Sequence, residues 1–555
     1  MFFKSISRRD FMKGMMVGGV AAASAGVLTA CGSGSSESSD SESSSSEAAG
    51  SESGSSEASS GSEETETTVE RQTITWSVID QNAGNNNVGD YAEEIMQMIE
   101  DYVGHDLELT WVANDTLTEK NSLYLASPKT MPQIMSWGGT VTGDVVSAAN
   151  NGAFVDLNNY VWDEAKYPNL SQMAQSVADN LTVNGQLIAL PRSRVVGRYG
   201  LCYRQDWAEL LGVELANDGS ATPEDVYEML YAFTYDDPDG DGSNDTIGME
   251  MTSYTGPFDI IQTWFGCGNG WAEVDGQLVP VWMQDEYFEA VEYIKRIYEN
   301  GLMPADFVDR PTDSWSDGCK KGDNGVFIDV LDSGKRIWQY FAAEDTWTAS
   351  VVNPDENATM VFYGAVNGHT LATAGYNGYF TLSATTCDTE EKIEAALTVL
   401  DKLNDAEMLI LTQYGLEGVN YEYDSDGYLV DTDTEDSSLK GNYLGLNQLL
   451  AYLPSTEECT ERVHAQTDEI NQAQNDAYEA ALPYAVVNPA LSYRVNSSAY
   501  SENGATLDDE ASALRTQYIC GAISLDDFKS GLDNIRTKGY DTIIEEVNEQ
   551  YQANQ

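Results

Sequence analysis

The sequence is poor in basic residues and histidines, and it carries no motif of a zinc cluster or a redox dithiol. It has 28 Lys and Arg against 91 Asp and Glu, which gives a formal net charge of -63. Such a surface repels phosphate backbones and excludes nucleic acids as natural partners. The three histidines stand far apart, and none of the seven cysteines belongs to a CxxC pair. A zinc cluster and a thioredoxin-type centre are therefore excluded.

Catalytic signatures are also missing. HExxH, a nucleophile elbow GxSxG, a P-loop and a GxGxxG fingerprint after a strand are all absent from the part of the chain that should fold. Carboxylate pairs are too plentiful to exclude a glycoside hydrolase, which needs only two at the right separation. No pair stands out, so the residues alone single out no catalytic site.

The first 31 residues have the pattern of an export signal. Basic residues precede an apolar run from about Met15 to Ala30, which is too short to span a membrane. Ser7 to Lys13 resembles a twin-arginine motif, although paired arginines also occur in general secretory signals. Leu28 to Cys31 looks like a lipobox, so cleavage would leave Cys31 as a lipid-modified N-terminus. A plain cleavage site after Ala30 is the alternative.

Residues 32–70 form a tether in this interpretation. They are almost entirely Ser, Glu, Gly and Ala, which cannot bury enough apolar surface to offset the entropy of ordering. No later stretch is apolar enough to cross a bilayer. We therefore expect a folded part from residue 71 to 555, held by lipid at the extracellular face of the cell membrane.

The folded part begins with alternating strand and helix patterns. We predict strands at 73–79, 107–112 and 133–135 and helices at 90–103 and 117–126. This alternation predicts an α/β protein with a parallel sheet covered by helices. Asp90 and Glu93 are placed as a capping box, and Thr222, before Pro223, and Ser524 open further helices. Trp137 would lie past the carboxyl end of a strand, where open α/β sheets bind ligands.

The stretch from Asp236 to Gly248 carries carboxylates on alternate positions around a glycine turn. With Gly242 at the sixth place, it matches the first half of an EF-hand calcium loop. Place 12 holds Gly248 instead of a bidentate Glu, which favours a structural calcium over a calcium sensor. An acidic surface turn is the alternative, because Asp, Pro and Gly all favour turns. The predicted calcium ligands are Asp237, Asp239, Asp241, the carbonyl of Ser243, and Asp245.

Aromatic residues and a local group of arginines suggest a ligand site. The chain has 31 Tyr and 11 Trp, whose ring faces stack on the apolar faces of sugars. Four arginines lie between residues 192 and 204; they favour either an anionic ligand or pairing with neighbouring acids. The candidate ligand-binding residues are Trp137, Arg198, Tyr199, Trp264, Tyr376 and Tyr379.

With these features, the chain from about residue 72 resembles the extracellular solute-binding lipoproteins of ABC importers, family 1. It is most similar to the group with the LplA/LipO lipoproteins and the alginate-oligosaccharide-binding proteins. The segments that carry the resemblance are Leu123–Ser127, Met131–Ile134, Asn184–Pro191, Tyr203–Trp207, Asp237–Asp245 and Gly415–Val419.

The resemblance implies a helix-rich, two-lobed periplasmic-binding-protein-like fold of type II, with the ligand cleft between the lobes. Lobe 1 would span about 71–195 and 375–450, and lobe 2 about 205–370 with the C-terminal helices. The resemblance implies a receptor and not an enzyme: a monomer with structural calcium that captures a solute and delivers it to an ABC permease. The abundant aromatics favour an oligosaccharide as that solute. Thr246 stands where this group often has Glu, so one carboxylate of the calcium shell is missing.

Two alternatives stay open beside this hypothesis. One is a calcium-supported surface glycoside hydrolase or lyase, because sugar-binding aromatics and a calcium loop suit such an enzyme equally well. The other is a peptide-binding receptor of the same fold.

Overall fold

The computed structural model describes residues 71–554 except 217–218, 424, 426–428, 433–436 and 452–468. The predicted export signal, the anchor Cys31 and the tether lie outside the described residues. Among the described helices, none combines the length and the apolar character needed to cross a membrane.

Strands and helices alternate along the described chain. The strands are β1 (Thr73–Asp80), β2 (Asp106–Ala113), β3 (Ile134–Trp137), β4 (Thr182–Val183), β5 (Gln186–Leu187), β6 (Leu190–Ser193), β7 (Tyr199–Arg204), β8 (Ile247–Met249), β9 (Trp271–Val274), β10 (Gln277–Pro280), β11 (Asn324–Val330), β12 (Met360–Tyr363), β13 (Thr370–Leu371), β14 (Tyr376–Leu382), β15 (Tyr421–Tyr423), β16 (Leu429–Asp431) and β17 (Ala485–Val486). The α-helices are α1 (Ala92–Val103), α2 (Leu117–Ala126), α3 (Gly143–Asn150), α4 (Gln175–Asp179), α5 (Gln205–Leu211), α6 (Pro223–Tyr235), α7 (Gly256–Thr263), α8 (Asp285–Glu299), α9 (Asp317–Lys321), α10 (Asp332–Ala342), α11 (Glu390–Lys402), α12 (Ala406–Tyr414), α13 (Glu469–Ala481), α14 (Leu491–Val495), α15 (Ala505–Ile519), α16 (Leu525–Ile535) and α17 (Asp541–Ala553).

The first large sheet has five strands in the order β2-β1-β3-β14-β6. β1 is parallel to β2 and to β3, whereas β14 is antiparallel to both β3 and β6. Helices cover this sheet, so even the short strand β3 is buried along its whole length. The parallel arrangement predicted from the alternating pattern is confirmed for the first three strands.

The second sheet has four strands in the order β12-β7-β11-β8. β7 is antiparallel to β11 and β12, while β8 is parallel to β11. Gly325 in β11 permits close packing against this sheet, because a Cβ there would lie 2.3 Å from the ring of Phe233 and 2.6 Å from that of Trp207. Any larger residue would push helices α5 and α6 away from the sheet.

Each sheet has its own hydrophobic core. The first core combines side chains from Ile74 to Leu190 with others from Tyr376 to Ala451. The second combines side chains from Leu201 to Val366 with the C-terminal helices α15, α16 and α17. We call the part around the first core lobe 1 and the part around the second lobe 2. The helix-rich, two-lobed α/β fold implied by the resemblance is confirmed.

Short crossing segments connect the two lobes. The chain passes from β6 to β7 through residues 194–198 and returns before β14 through residues 372–375. The two segments are joined by backbone hydrogen bonds, from Arg194 N to the Gly375 carbonyl (2.9 Å) and from Thr373 N to the Val196 carbonyl (3.0 Å). Beside them β13 pairs with β17 in parallel. These segments are the natural hinge of the molecule.

Two predicted helix starts are confirmed, and one predicted capping box is wrong. Helices α6 and α16 begin after Thr222 and Ser524, as predicted, and each of these residues also forms a reciprocal capping box, with Asp225 and Asp527. The box predicted for Asp90 is wrong, because α1 begins at Ala92 and has no side-chain cap.

A buried carboxyl group makes stability depend on pH. Burial raises the pKa of Glu250 to about 7 from its ordinary value of 4.5. The folded state therefore favours the protonated acid, and the free energy of unfolding should fall by about 3 kcal/mol as pH rises from 4.5 through 7. Urea unfolding at a series of pH values should show this decline. The measurement uses 0.5–1 M salt, in which the Debye length is roughly 3–5 Å, so that surface charges contribute little.

Glu250→Gln should flatten the decline, because glutamine has no proton to lose. Glu299→Gln, a change at an exposed position on α8, serves as the control and should leave the slope intact. Equal slopes in the wild type and in Glu250→Gln would contradict the prediction.

Candidate functional site

Both sheets present the carboxyl ends of their parallel strands to the crossing segments. In lobe 1, β1, β3 and β6 end on the same side, and β6 leads directly into the first crossing segment. In lobe 2, β11 ends beside Tyr199, the first residue of β7, which pairs with Val330, and β8 runs parallel to β11 toward the same side. Ligands of open α/β sheets bind at such carboxyl ends. We call these two surfaces the cleft edges of lobe 1 and lobe 2.

Three of the predicted ligand-binding residues meet at the cleft edge of lobe 1. Trp137 stacks on Tyr379 with ring centroids 5.9 Å apart, and Tyr376 contacts Tyr379 edge-on at 6.3 Å. Trp137 Nε1 donates to Thr381 Oγ1 at 2.9 Å, which fixes the indole. Tyr376 and Tyr379 are almost fully buried, and Trp137 retains a small exposed rim. The three rings support one another and leave only Trp137 at the surface.

An amide-rich loop follows β1 at the same edge. The Asp80 carboxylate accepts hydrogen bonds from Asn82 N, Gly84 N and Asn86 Nδ2, each at 2.8 Å. Burial opposes ionisation, yet these hydrogen bonds lower the pKa of Asp80. The loop thus holds Gln81 and Asn85 exposed at its tip. Sequence reasoning missed it, although an Asp followed by an Asn-rich run directly after a strand was a usable signal.

Arg198 lies at the cleft edge of lobe 2 in a tight ion pair. Its Nε and Nη2 donate to the two carboxylate oxygens of Asp332 at 2.9 and 3.0 Å, and Tyr478 OH donates to the same carboxylate at 2.6 Å. Burial opposes ionisation, but these donors keep the pKa of Asp332 below its ordinary value. The fork of Arg198 is therefore occupied by protein.

Arg204 is paired in the same way with Asp206, deeper in lobe 2. Of the two interpretations of the arginine group, pairing with acids therefore describes Arg198 and Arg204.

Tyr199 lies beside two residues that sequence reasoning did not single out. Tyr254 follows β8, and this residue is 42 % exposed. Asp329 precedes the last residue of β11, and its carboxylate interacts with the Tyr254 hydroxyl. Burial raises the pKa of Asp329 to about 6. An exposed aromatic face beside a hydrogen-bond acceptor is the combination that binds a sugar ring.

Trp264 lies apart from the other five candidates. Its side chain is 1 % exposed within the core of lobe 2, and its carbonyl accepts from Asn367 Nδ2 at 2.9 Å. In this conformation the indole has no free face for a ligand. Its position at the end of α7 explains the burial, because that helix packs on α8.

The acidic loop lies at the opposite end of the lobe 2 sheet. It connects α6 to the amino end of β8, whereas the cleft edge is at the carboxyl end. Carboxylate oxygens of Asp237, Asp239 and Asp241 lie within 4.8 Å of one another. The turn requires positive φ angles at Gly240 (70°) and Gly242 (91°), which glycine adopts without strain. The loop is therefore far from the candidate ligand site along the sheet.

Backbone donors and acidic neighbours shape this loop. Gly242 N donates to the Asp237 carboxylate at 3.1 Å, and Ser243 N donates to Asp241 Oδ1 at 2.7 Å. Burial, followed by the charges of Asp241 and Asp245, raises the pKa of Asp239. Three converging carboxylates without a basic partner among the described residues match the hard-oxygen donor set of Ca²⁺. Thr246 is buried instead, and its hydroxyl donates to the Phe233 carbonyl at 2.7 Å.

Comparisons with known proteins agree with this arrangement. No protein-family model matches the chain. Lipoprotein LipO of Bacillus subtilis is 31 % identical over 464 residues, which cover 82 % of this chain and 88 % of LipO. The polygalacturonan/rhamnogalacturonan-binding protein YtcQ of the same organism is 25 % identical over 469 residues, 83 % of this chain and 88 % of YtcQ.

Solved structures share the fold. An HMO-binding, ABC-transporter-associated solute-binding protein from Bifidobacterium longum infantis superposes with a TM-score of 0.63 at 17 % identity, over 87 % of this chain and 98 % of that one. An EF-hand mutant of the substrate-binding protein FusA from Streptococcus pneumoniae, in complex with fructo-nystose, gives a TM-score of 0.57 at 19 % identity, over 87 % and 100 %. With a relative of 31 % identity along most of its length, the chain belongs to the family 1 solute-binding proteins of ABC transporters.

Proposed function

We propose that the protein is a lipid-anchored receptor that captures an oligosaccharide between its lobes and delivers it to an ABC permease. The observation that carries this proposal is the pair of cleft edges that flank the crossing segments. One edge offers Trp137 and an amide-rich loop, and the other offers Tyr199, Tyr254 and Asp329. The names of YtcQ, the HMO-binding protein and FusA support a carbohydrate ligand.

Ligand capture would work by closure of the lobes about the crossing segments. A sugar that contacts both edges binds the closed form better than the open form and so shifts the population toward it. The aromatic faces supply apolar contact. The amides donate hydrogen bonds to sugar hydroxyls and accept them, and the carboxylates accept them. No bond is broken in this mechanism, and we infer that the protein is not an enzyme.

Attachment to the membrane would use the lipid on Cys31, with residues 32–70 as the tether. The folded part would act as a monomer, with lobe 1 over about 71–195 and 375–450 and lobe 2 over about 205–370 and the C-terminal helices. A flexible tether of this length lets the receptor reach a permease in the same membrane.

A calcium ion bound in the acidic loop would stabilise lobe 2. The carboxylates of Asp237, Asp239 and Asp241 would hold it, with the Ser243 carbonyl and Asp245 as further ligands. A bound ion supplies positive charge that cancels the repulsion of these carboxylates. The loop would then fix the end of α6 against the start of β8, and the EF-hand of FusA supports this assignment.

Tyr254→Ala should weaken binding of the oligosaccharide by about fivefold or more, because truncation of an aromatic anchor in a binding site costs about 1 kcal/mol or more. Tyr231→Ala is the matched control: this tyrosine is 47 % exposed on α6, away from the cleft edges. Calorimetry of the full chain against a panel of oligosaccharides measures both variants. Absence of heat with every glycan, together with binding of peptides, would contradict the carbohydrate proposal. Release of shorter sugars from a polysaccharide would instead indicate an enzyme.

A further inference from the structure

The charges at the cleft edges restrict the class of sugar, an inference that rests on the proposed function. At the edge of lobe 1, the Trp137 rim and the exposed side chains of Gln81 and Asn85 are uncharged. Asp80 is turned inward by three hydrogen bonds from its own loop. This edge therefore offers apolar faces and amides, which suit hydroxyl groups and give no strong preference for a charged ligand.

Most guanidinium groups near the cleft are matched by protein carboxylates. Arg198 is bidentate to Asp332, as described above. Arg515 Nη1 donates to Asp259 Oδ1 at 2.5 Å, and Asp259 is one of the charges that act on Tyr199 and Tyr254. A uronate would have to compete for these arginines with carboxylates that are already in place.

Arg494 is held near its own acidic partner. Its Nη1 lies 4.0 Å from the Asp508 carboxylate, and its guanidinium lies over the Tyr500 ring at 4.5 Å. Asp508 also accepts from the hydroxyls of Tyr500 and Tyr540. The cation and the carboxylate thus form one compact network with little charge left to attract a ligand.

Four further cations lie near the crossing segments. Arg192 and Lys335 are buried, at 4 % and 7 % exposure. Arg194, in the first crossing segment, is half-buried, and its Nη1 donates to the Ser193 carbonyl at 2.8 Å. Arg336 is exposed on α10, and its charge acts on Asp329 from a distance. Of these four cations only Arg336 is exposed, and Asp329 opposes it.

Asp329 is the remaining charged group beside the exposed tyrosine. Among the described residues it has no ion-pair partner within 4.0 Å, while Tyr199 and Tyr254 lie next to it. A carboxylate in this position repels a uronate but accepts strong hydrogen bonds from the hydroxyls of a neutral sugar.

We propose that the cleft selects a neutral, hydroxyl-rich oligosaccharide and discriminates against uronates. Asp329 is the specificity-determining residue, and Tyr254 supplies the ring face beside it. The expected ligand therefore differs from the polygalacturonan and rhamnogalacturonan in the name of YtcQ, and it is chemically closer to the fructo-nystose in the FusA complex.

Calorimetry of the full chain tests the proposal with two sets of probes of equal length. The neutral set contains fructo-, xylo-, manno- and gluco-oligosaccharides, and the acidic set contains oligogalacturonides. We expect a neutral probe to bind at least about tenfold more tightly than any acidic probe, with an affinity that changes little with salt. Tighter binding of oligogalacturonides would overturn the specificity while leaving the carbohydrate receptor intact. Binding of neither set would overturn both.

Asp329→Asn should change the binding affinity in opposite directions for a neutral sugar and for a uronate. It should weaken binding of the neutral probe by about tenfold, because the charge-assisted hydrogen bonds are lost. If the natural ligand were a uronate, the same change would strengthen binding by removing repulsion, and that result would overturn the proposal. Asp323→Asn is the matched control, since this exposed Asp lies at the amino end of the same strand β11 and should leave both affinities unchanged.

Discussion

Replacement of Asp206 by alanine is expected to lower the free energy of unfolding by about 3–5 kcal/mol. The carboxylate accepts from Arg204 Nε at 2.8 Å and Nη2 at 2.7 Å, and from Val351 N at 2.9 Å. Both charged side chains are only 3 % exposed. The variant would leave a buried guanidinium and a backbone donor without their acceptor. Urea unfolding monitored by tryptophan fluorescence measures the loss.

A double replacement separates charge from packing. Arg204 lies between the rings of Trp207 and Phe341, at 4.9 and 5.0 Å, so its site tolerates an apolar side chain. Arg204→Met with Asp206→Leu should recover most of the stability that Asp206→Ala loses, because no uncompensated charge remains.

A surface pair provides the control for this result. Asp317→Ala breaks the exposed contact of that residue with Lys321 and should cost about 0–1 kcal/mol. A loss of similar size in Asp206→Ala and Asp317→Ala would show that burial of the Arg204 pair does not matter, contrary to our expectation. Because the Arg204–Asp206 pair is buried and the Asp317–Lys321 pair is exposed, we assign Arg204 a structural role and not a role in ligand binding.

Removal of calcium is expected to lower the free energy of unfolding by about 3–4 kcal/mol, if the free ion is present at several hundred times its dissociation constant. Only the folded loop brings Asp237, Asp239 and Asp241 together, so binding energy appears directly as folding stability. Chemical unfolding with and without a chelator measures the difference, and elemental analysis of the purified protein counts the metal.

Asp239→Asn should abolish the response to the chelator. Without metal, the same variant should be slightly more stable than the wild type, because it removes one charge from a repelling group. Asp236→Asn is the matched control: this exposed residue adjoins the loop but is not one of its proposed ligands. A chelator effect of equal size in Asp239→Asn and the wild type, or a protein without metal, would contradict the calcium assignment.

The parts of the fold that depend on neighbouring residues could be predicted from the sequence. The capping box at Thr222 involves residues three positions apart, and the helix Leu117–Ala126 has the predicted bounds. The start of α1 could not be predicted in this way. Tyr91 N, at the start of α1, donates to Asn442 Oδ1 at 3.0 Å. A residue from a distant part of the chain therefore accepts the hydrogen bond that the Asp90 side chain was not placed to accept.

The candidate site was predictable only where a strand end was visible in the sequence. Trp137 was placed correctly at the carboxyl end of β3, because apolar runs mark buried strands. Tyr254 and Asp329 were missed, since their proximity depends on the parallel pairing of β8 with β11, which no local pattern shows. Trp264 illustrates the converse, because an isolated tryptophan gives no indication of which face of its helix meets the core.

The insertion of β14 between β3 and β6 has a consequence for biosynthesis. Until residues 376–382 have been made, the first sheet lacks one of its inner strands, and the neighbouring strands have no partner at that position. The second core likewise requires α17, near the C-terminus. A nascent chain therefore cannot complete either lobe early, and such long-range pairing makes folding slow. The protein would acquire its ligand-binding form only after its last helix had been synthesised.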